Sequence, residues 1–355
     1  MAIEFIQLLS EKGEIVFKEI NSYLKDLNNF PKFCKIPKKY SSIADFHSQI
    51  VSDYPQRKGK YIRPTLVLLT ACAMGFPEKK AIKTASAMQV SEDWILNHDD
   101  IEDNSLERRG KPALHKLYGT ELAINAGDAL HILMWKILLD NLGILGNFRG
   151  VRIMEEFNMM LSRTVLGQTV EIKWTQDNRM DLIDEDILFI SESKTGYYSI
   201  AGPMRLGAIL GGATKAQLEK IYNFGKVLGQ CFQIVDDLLD LTSDFAGMKK
   251  QMGNDIYEGK RTIMLAHLLR EVGPKDKDKV FNIMKKRREE KSEEEVLWII
   301  EKMKEYGSLE YSQKLAEKLA QEATLIFDKD LKFLDHEPAR SQIKAGIEFI
   351  LNRKH

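Results

Sequence analysis

Asp99-Asp100-Ile101-Glu102-Asp103 closes an apolar run that begins near Ile82. Apolar residues recur through Ile82–Ile101 at helical spacing, so Asp99 and Asp103, four apart, project from one face of a single helix. Like charges this close repel, and the arrangement calls for metal ions or basic groups to compensate. The pattern returns further along the chain: Asp236-Asp237-Leu238-Leu239-Asp240 ends the apolar run Leu218–Leu241, and Asp236 and Asp240 again share a face. One such cluster reads as solvated acids at a helix end. With the two helices packed side by side, four carboxylates face one cleft and hold several Mg²⁺ ions, with positions left open for water or phosphate oxygens. The ligand is then strongly anionic.

Working outward, helical periodicity also runs through Ile6–Leu27, Ile43–Val51, Leu66–Met74, Leu122–Leu142, Val151–Glu171, Glu185–Leu210 and much of Val280–Ile350. Strands are hard to find. Breakers fall between the runs at Pro31, Pro37, the Pro55–Pro64 segment, Gly75 with Pro77, and Arg109-Gly110-Lys111-Pro112. The reading is all-α, a stack of about a dozen helices. Inside Glu185–Leu210 the stretch Gly196-Tyr197-Tyr198-Ser199-Ile200-Ala201-Gly202-Pro203 makes a poor isolated helix, since glycine costs about 1 and proline about 3 kcal/mol relative to alanine. A break there is tolerated where packing or a ligand requires it. No repeat or Gly/Ser linker marks a domain boundary, so residues 1–355 read as one domain, with the charged segment 274–295 a candidate surface insertion.

The totals exclude more than they assign. Fifty-two basic and fifty-two acidic residues give no net charge, which argues against a nucleic-acid partner. Cys34, Cys72 and Cys231 are too few and too scattered for a disulfide scaffold or a structural zinc site, which fits a reducing, cytoplasmic compartment. Met1–Phe17 lacks the basic region and apolar core of a signal peptide, and no stretch approaches the eighteen uncharged apolar residues of a membrane span.

Any phosphate chemistry therefore rests on local groups. Arg108-Arg109-Gly110 follows the first acidic cluster, Lys58-Gly59-Lys60-Tyr61-Ile62-Arg63-Pro64 lies upstream of it, and Gly259-Lys260-Arg261-Thr262 follows the second. Taken together with the acids they suit two diphosphates, one bridged through metal and one gripped directly by Lys and Arg, whose guanidinium fork matches phosphate oxygens.

At this point the chain resembles the trans-isoprenyl diphosphate synthases over nearly its whole length. Asp99, Asp100, Asp103, Arg108, Arg109 and Gly110 meet the family's first aspartate-rich motif, and Phe232-Gln233-Ile234-Val235-Asp236-Asp237-Leu238-Leu239-Asp240 the second. The resemblance implies an isoprenoid-synthase helical bundle around a central catalytic cavity, assembled as a homodimer. It implies that Asp99, Asp103 and Asp236, with Asp240 nearby, coordinate Mg²⁺, three ions per active site with substrate bound, while Asp100 and Asp237 support metal-bound water or order the motif. Arg108 is then expected to contact the allylic diphosphate, and Lys60, Arg63 and Arg109 to hold isopentenyl diphosphate. Lys194, Thr195, Gln233 and Lys260 match positions lining the leaving group and the nascent cation, and Gln168 and Glu171 match a further lining helix. His98, just before the aspartates, reads as a supporting hydrogen-bond partner rather than a metal ligand.

The implied reaction ionises an allylic diphosphate (dimethylallyl, geranyl or farnesyl), and the double bond of isopentenyl diphosphate attacks the cation. By the same resemblance Trp94, five residues before Asp99, closes the product tunnel and sets a twenty-carbon all-trans product, geranylgeranyl diphosphate, with farnesyl diphosphate the alternative. The sequence departs from the family where His or Gln usually helps bind isopentenyl diphosphate: here stands Glu92, an acid that repels a diphosphate unless protonated, paired with Lys60 or Arg63, or turned away. Tyr61 and Gln251 also replace basic residues, although Lys249 and Lys250 adjoin the latter. These departures keep open a non-catalytic or regulatory subunit of the same fold. A terpene cyclase fits less well, since its chemistry has no use for a second diphosphate grip.

Overall fold

The computed structural model describes residues 2–29, 35–242 and 252–352; Pro31, Cys34 and the positions Lys249, Lys250 and Gln251 lie outside them. The described chain is built almost entirely of helices. The first four are α1 (Ala2–Leu24), α2 (Ser41–Gln56), α3 (Ile62–Ala73) and α4 (Glu78–Glu102). After a short hairpin come α5 (Leu114–Tyr118), α6 (Thr120–Leu145), α7 (Asn147–Gln176), α8 (Asp184–Ile190) and α9 (Gly202–Leu210). The second half holds α10 (Lys215–Thr242), α11 (Asn254–Glu258), α12 (Ile263–Glu271), α13 (Pro274–Met284), α14 (Glu293–Glu305), α15 (Ser308–Asp330) and α16 (Ala339–Asn352).

The proline signals are partly overridden. Pro55 lies in the last turn of α2, and Pro64 in the first turn of α3, where a missing N–H breaks no intrahelical bond. The expected break at Gly196–Pro203 is a wide π-helical segment, Ser191–Ala201, which joins α8 to α9 in one rod with Pro203 in the first turn of α9. Packing explains why glycines are needed there. A Cβ on Gly229 of α10 would stand 2.1 Å from the Cα of Gly196, so the two backbones touch.

The bundle centre is α4 packed on α3 and α6, and α10 packed on the π-helical segment and α15, with α3 crossing α9. Val67, Leu68, Ala85, Met88, Leu130, Met134, Phe157, Phe224 and Phe327 are among its fully buried side chains. By length and composition α6 alone among the described helices is able to cross a membrane; here it packs against α4, α5 and α7, burying Leu130, Met134 and Ile137. The charged segment 274–295 contributes Val280, Ile283 and Met284 to the interior, and its Arg288 reaches back to Glu258.

A miniature antiparallel hairpin, β1 (Glu107–Arg108) with β2 (Lys111–Pro112), was not anticipated. Its two-residue loop is Arg109-Gly110, with φ values of 53° and 74°, the paired left-handed geometry that twists a tight hairpin correctly. Gly110 meets that demand without strain, whereas Arg109 is held there by its side-chain contacts. Arg57 fastens the hairpin, donating to the carbonyls of Arg108 and Pro112 at 2.9 Å each.

Candidate active site

The C-terminal end of α4 and the C-terminal end of α10 line one polar cleft, and lysines join its walls. Lys194 Nζ lies 2.7 Å from Glu171 of α7 and 3.6 Å from Asp99 of α4. Lys260 Nζ lies 3.4 Å from Asp103, 3.6 Å from Asp255 and 2.7 Å from Glu258. Gln168 donates to Asp99 at 3.2 Å and to Glu102 at 2.7 Å. From the π-helical segment Thr195 donates to Gln233 at 2.5 Å, and Gln233 donates in turn to Asp237 at 2.6 Å. The structure thus brings Asp99, Asp103, Gln168, Glu171, Lys194, Thr195, Gln233 and Lys260 together.

The remaining aspartates divide. Asp236 is exposed at the rim of α10, while Asp240 accepts a bond of 3.0 Å from the backbone N–H of Asp255, anchoring α11 beside the cleft. Asp100 is fully buried behind Asp99, where it binds the hydroxyl of Tyr54 and is gripped by Arg108, whose Nε donates at 3.0 and 3.1 Å. Arg108 is thereby fixed to the motif, with its terminal nitrogen 4.0 Å from Asp99. His98 turns away from the aspartates toward Asp128 of α6, its Nε2 3.7 Å from the carboxylate. Sequence reading missed Asp255, Glu258 and Tyr54. For the first two, the acids flanking Lys260 were the available signal.

Burial works against these charges, and the neighbours decide each case. Burial pushes the Asp103 carboxyl up to about 7; Lys260 opposes this, while Asp99 and Glu258 add to it. The Asp237 carboxyl also rises to about 7 through burial, against its bond from Gln233. At Asp99 burial is outweighed by Lys194, Lys260 and Arg108, which hold its carboxyl below the ordinary value. Lys260 is desolvated as well, yet Glu258, Asp103 and Asp255 hold its ammonium protonated well beyond the usual range.

Among the described residues no three acidic, histidine or cysteine side chains converge as a preformed metal cage. Magnesium takes one or two carboxylates and completes its octahedron with water and substrate phosphates. The donors of Asp99, Asp103 and Asp236 are hard carboxylate oxygens at the ends of α4 and α10, so the residues present fit the ion.

A second basic group, from α3 and the hairpin loop, meets the same helix α4 at Glu92. Glu92 precedes Asp99 by two turns, about 10 Å along the axis. Arg63 Nη1 lies 3.2 Å and Arg109 Nη2 3.7 Å from Glu92 Oε1. Of the arrangements open to Glu92 in the sequence, pairing with Arg63 is realised, and Arg109 joins it. Arg109 also donates to the Tyr54 carbonyl and to Asp93, each at 2.9 Å. Lys60 is exposed at the loop edge, and a Cβ on neighbouring Gly59 would meet the Arg109 guanidinium at 2.8 Å. Tyr61 does not replace the missing basic residue: it is buried, in left-handed backbone (φ 55°), with its ring against Gly13 of α1.

Trp94 lies on another side of α4, half-buried and stacked on His131 of α6 with ring centres 4.2 Å apart and planes 19° from parallel. His131 Nε2 accepts from Trp135 Nε1 at 2.9 Å, so the three rings link α4 to α6.

A helical bundle that sets a cluster of acids and lysines about two helical turns from an arginine pair is built to handle two anionic groups at once, which makes the chain a diphosphate-handling member of the isoprenoid-synthase fold. Residues 45–303 match the polyprenyl synthetase family, and the chain belongs to that family of trans-prenyltransferases. It is 32% identical over 300 residues to a short chain isoprenyl diphosphate synthase of Methanothermobacter thermautotrophicus, covering 84% of this chain and 87% of that one. A geranylgeranyl diphosphate synthase of Sulfolobus acidocaldarius is 32% identical over 260 residues, 73% of this chain and 77% of that one. The crystal structure of geranylgeranyl pyrophosphate synthetase from Pyrococcus horikoshii superposes with a TM-score of 0.82 at 26% identity, over 99% and 98% of the two chains.

Proposed function

We propose that this chain condenses an allylic diphosphate with isopentenyl diphosphate to give a short all-trans prenyl diphosphate, geranylgeranyl diphosphate foremost and farnesyl diphosphate as the alternative. The observation that carries this is the pair of anion grips that other elements form against α4: Lys194 and Lys260 at Asp99 and Asp103, and, two turns away at Glu92, Arg63 with Arg109. Magnesium held by Asp99, Asp103 and Asp236, with Asp240 nearby and three ions with substrate bound, would supply Lewis-acid neutralisation of the departing pyrophosphate. The chain's own part is electrostatic. Lys194 and Lys260, kept cationic by their acids, face the charge that develops as the allylic C–O bond breaks. Thr195 and Gln233 lie beside the cation so formed. Lys60, Arg63 and Arg109 orient isopentenyl diphosphate, whose double bond forms the new C–C bond; the proton then lost passes to pyrophosphate.

The names of the Sulfolobus and Pyrococcus relatives support a twenty-carbon product. Each added isoprene unit gains roughly 4 kcal/mol of apolar burial at about 0.8 kcal/mol per carbon group, so a steric floor is required, and Trp94 is the proposed floor. We further propose a homodimer of single-domain chains, 1–355, in a reducing cytoplasm. α6 and α7 leave Ile132, Leu139, Phe148, Val151, Val165 and Leu166 exposed, a surface suited to a second copy.

Mass spectrometry of the products from isopentenyl diphosphate, dimethylallyl diphosphate and Mg²⁺ tests the reading. Elongated diphosphate supports it; hydrocarbon with free pyrophosphate points to a cyclase, and no turnover to a regulatory subunit.

A further inference from the structure

The arginine clamp already contains an anion of the protein's own. Glu92 Oε1 stands where the two guanidinium forks converge, 3.2 Å from Arg63 and 3.7 Å from Arg109. Asp93, almost fully buried, adds a second carboxylate 2.9 Å from Arg109. Yet the clamp is not saturated: Arg63 Nε and Arg109 Nη2 are buried and have no hydrogen-bond partner, and neither have Glu92 Oε2 and Asp93 Oδ2. Buried donors left open in this way are groups that await an acceptor.

The scaffold holds the donors in place without Glu92. Arg63 Nη2 donates to Ser199 at 2.8 Å, and its guanidinium lies 4.9 Å from the Tyr198 ring centre. Arg109 is fixed through Nη1 by the Tyr54 carbonyl and Asp93, with Gly59 packed close to Nη2. A carboxylate in the mouth of a prebuilt phosphate clamp lowers the affinity of that clamp, because an incoming diphosphate must first exchange with it.

Resting on the function proposed above, we propose that Glu92 is an internal competitor for the isopentenyl diphosphate site: it occupies the Arg63–Arg109 clamp until the diphosphate displaces it, and so sets a weak affinity for that one substrate. The consequence is a high KM for isopentenyl diphosphate and an ordinary one for the allylic substrate, whose grip lies two turns along α4.

Steady-state kinetics of Glu92→Gln, nearly the same shape without the charge, tests this. The expected result is a KM for isopentenyl diphosphate lowered about tenfold, equivalent to about 1.4 kcal/mol, against a KM for the allylic diphosphate that moves less than twofold. An unchanged or raised KM for isopentenyl diphosphate overturns the inference and makes Glu92 a tether for the arginines. Should Glu92→Gln fail to fold, Glu92→Asp, which withdraws the charge by one methylene, is expected to shift the same KM in the same direction. If the wild type makes no elongated product, the function proposed above fails. Calorimetric titration with inorganic pyrophosphate then decides this point alone, tighter binding by Glu92→Gln supporting the competitor and equal binding rejecting it.

Discussion

Lys260 reaches across the cleft to place its ammonium 3.4 Å from Asp103, while its own side of the cleft supplies Glu258 at 2.7 Å. One cation therefore compensates acids from both walls. Lys260→Met leaves Asp103 and Asp255 without it and removes a charge that faces the proposed leaving group. We expect kcat to fall by about 10²–10³, the range for losing one preorganised charge donor, with circular dichroism near wild type. A fall of less than tenfold removes Lys260 from this role.

Asp99→Ala and Asp236→Ala each take away a proposed magnesium ligand from a polar cleft rather than from the packed core. Turnover is expected to drop at least about 100-fold at limiting magnesium, while helical content is retained. Near-normal turnover in both variants rules out the assignment.

Trp94 is held by stacking on His131 rather than by a hydrogen bond; its indole N–H is buried without an acceptor. Trp94→Ala opens space beside α6 and is expected to shift the product by one or more isoprene units in the presence of excess isopentenyl diphosphate. An unchanged product distribution by mass spectrometry contradicts the floor. Opening the stack should also cost stability, less than the about 3–5 kcal/mol of a fully buried ring because Trp94 is half-buried.

Asp93 gives a pH signature. Burial pushes its carboxyl from 3.8 up to about 6, against the pull of Arg109 and with the help of Glu92. Gln89 bonds to it at 3.4 Å, and Tyr61 and Tyr198 complete its charged and titratable surroundings. The folded chain then binds this proton more tightly than the unfolded chain does. The contribution of Asp93 to stability therefore falls as pH rises from about 4 to about 6 and is level above. The full change is on the order of 3 kcal/mol at 1.36 kcal/mol per unit. Urea titrations of wild type and Asp93→Asn across this range should show the difference between them declining with pH; a constant difference contradicts it.

The exposed apolar residues of α6 and α7 predict self-association. Light scattering at micromolar concentration is expected to give twice the 40.7 kDa chain mass. Leu166→Glu, on a residue 65% exposed, should shift it toward one chain. A wild type of single-chain mass under active conditions refutes the dimer.

The acidic walls were legible because α4 and α10 are long, apolar and end on aspartates at i, i+4 spacing, a pattern that needs no tertiary information. Asp255 and Glu258 escaped notice because α11 is a five-residue helix whose importance comes from lying against Lys260. Tyr54 binds Asp100 from 46 residues upstream, and no local pattern announces such a partner. The pairing of Glu92 was open among several basic residues until the hairpin loop delivered Arg109 to it. The run from Gly196 to Pro203 showed that something unusual was required, but a widened helix and a kinked one share the same composition.

The touching backbones of Gly196 and Gly229 have a meaning for how this protein is free to diverge. Thr195 and Gln233 ride on these segments, and their separation is set by main chain against main chain, with no rotamer in between. Core side chains elsewhere are able to exchange volume over generations, and the helices to resettle, without altering that spacing. Drift in the hydrophobic interior is thereby insulated from the chemistry, at the cost of one position, Gly229, that no side chain is able to enter.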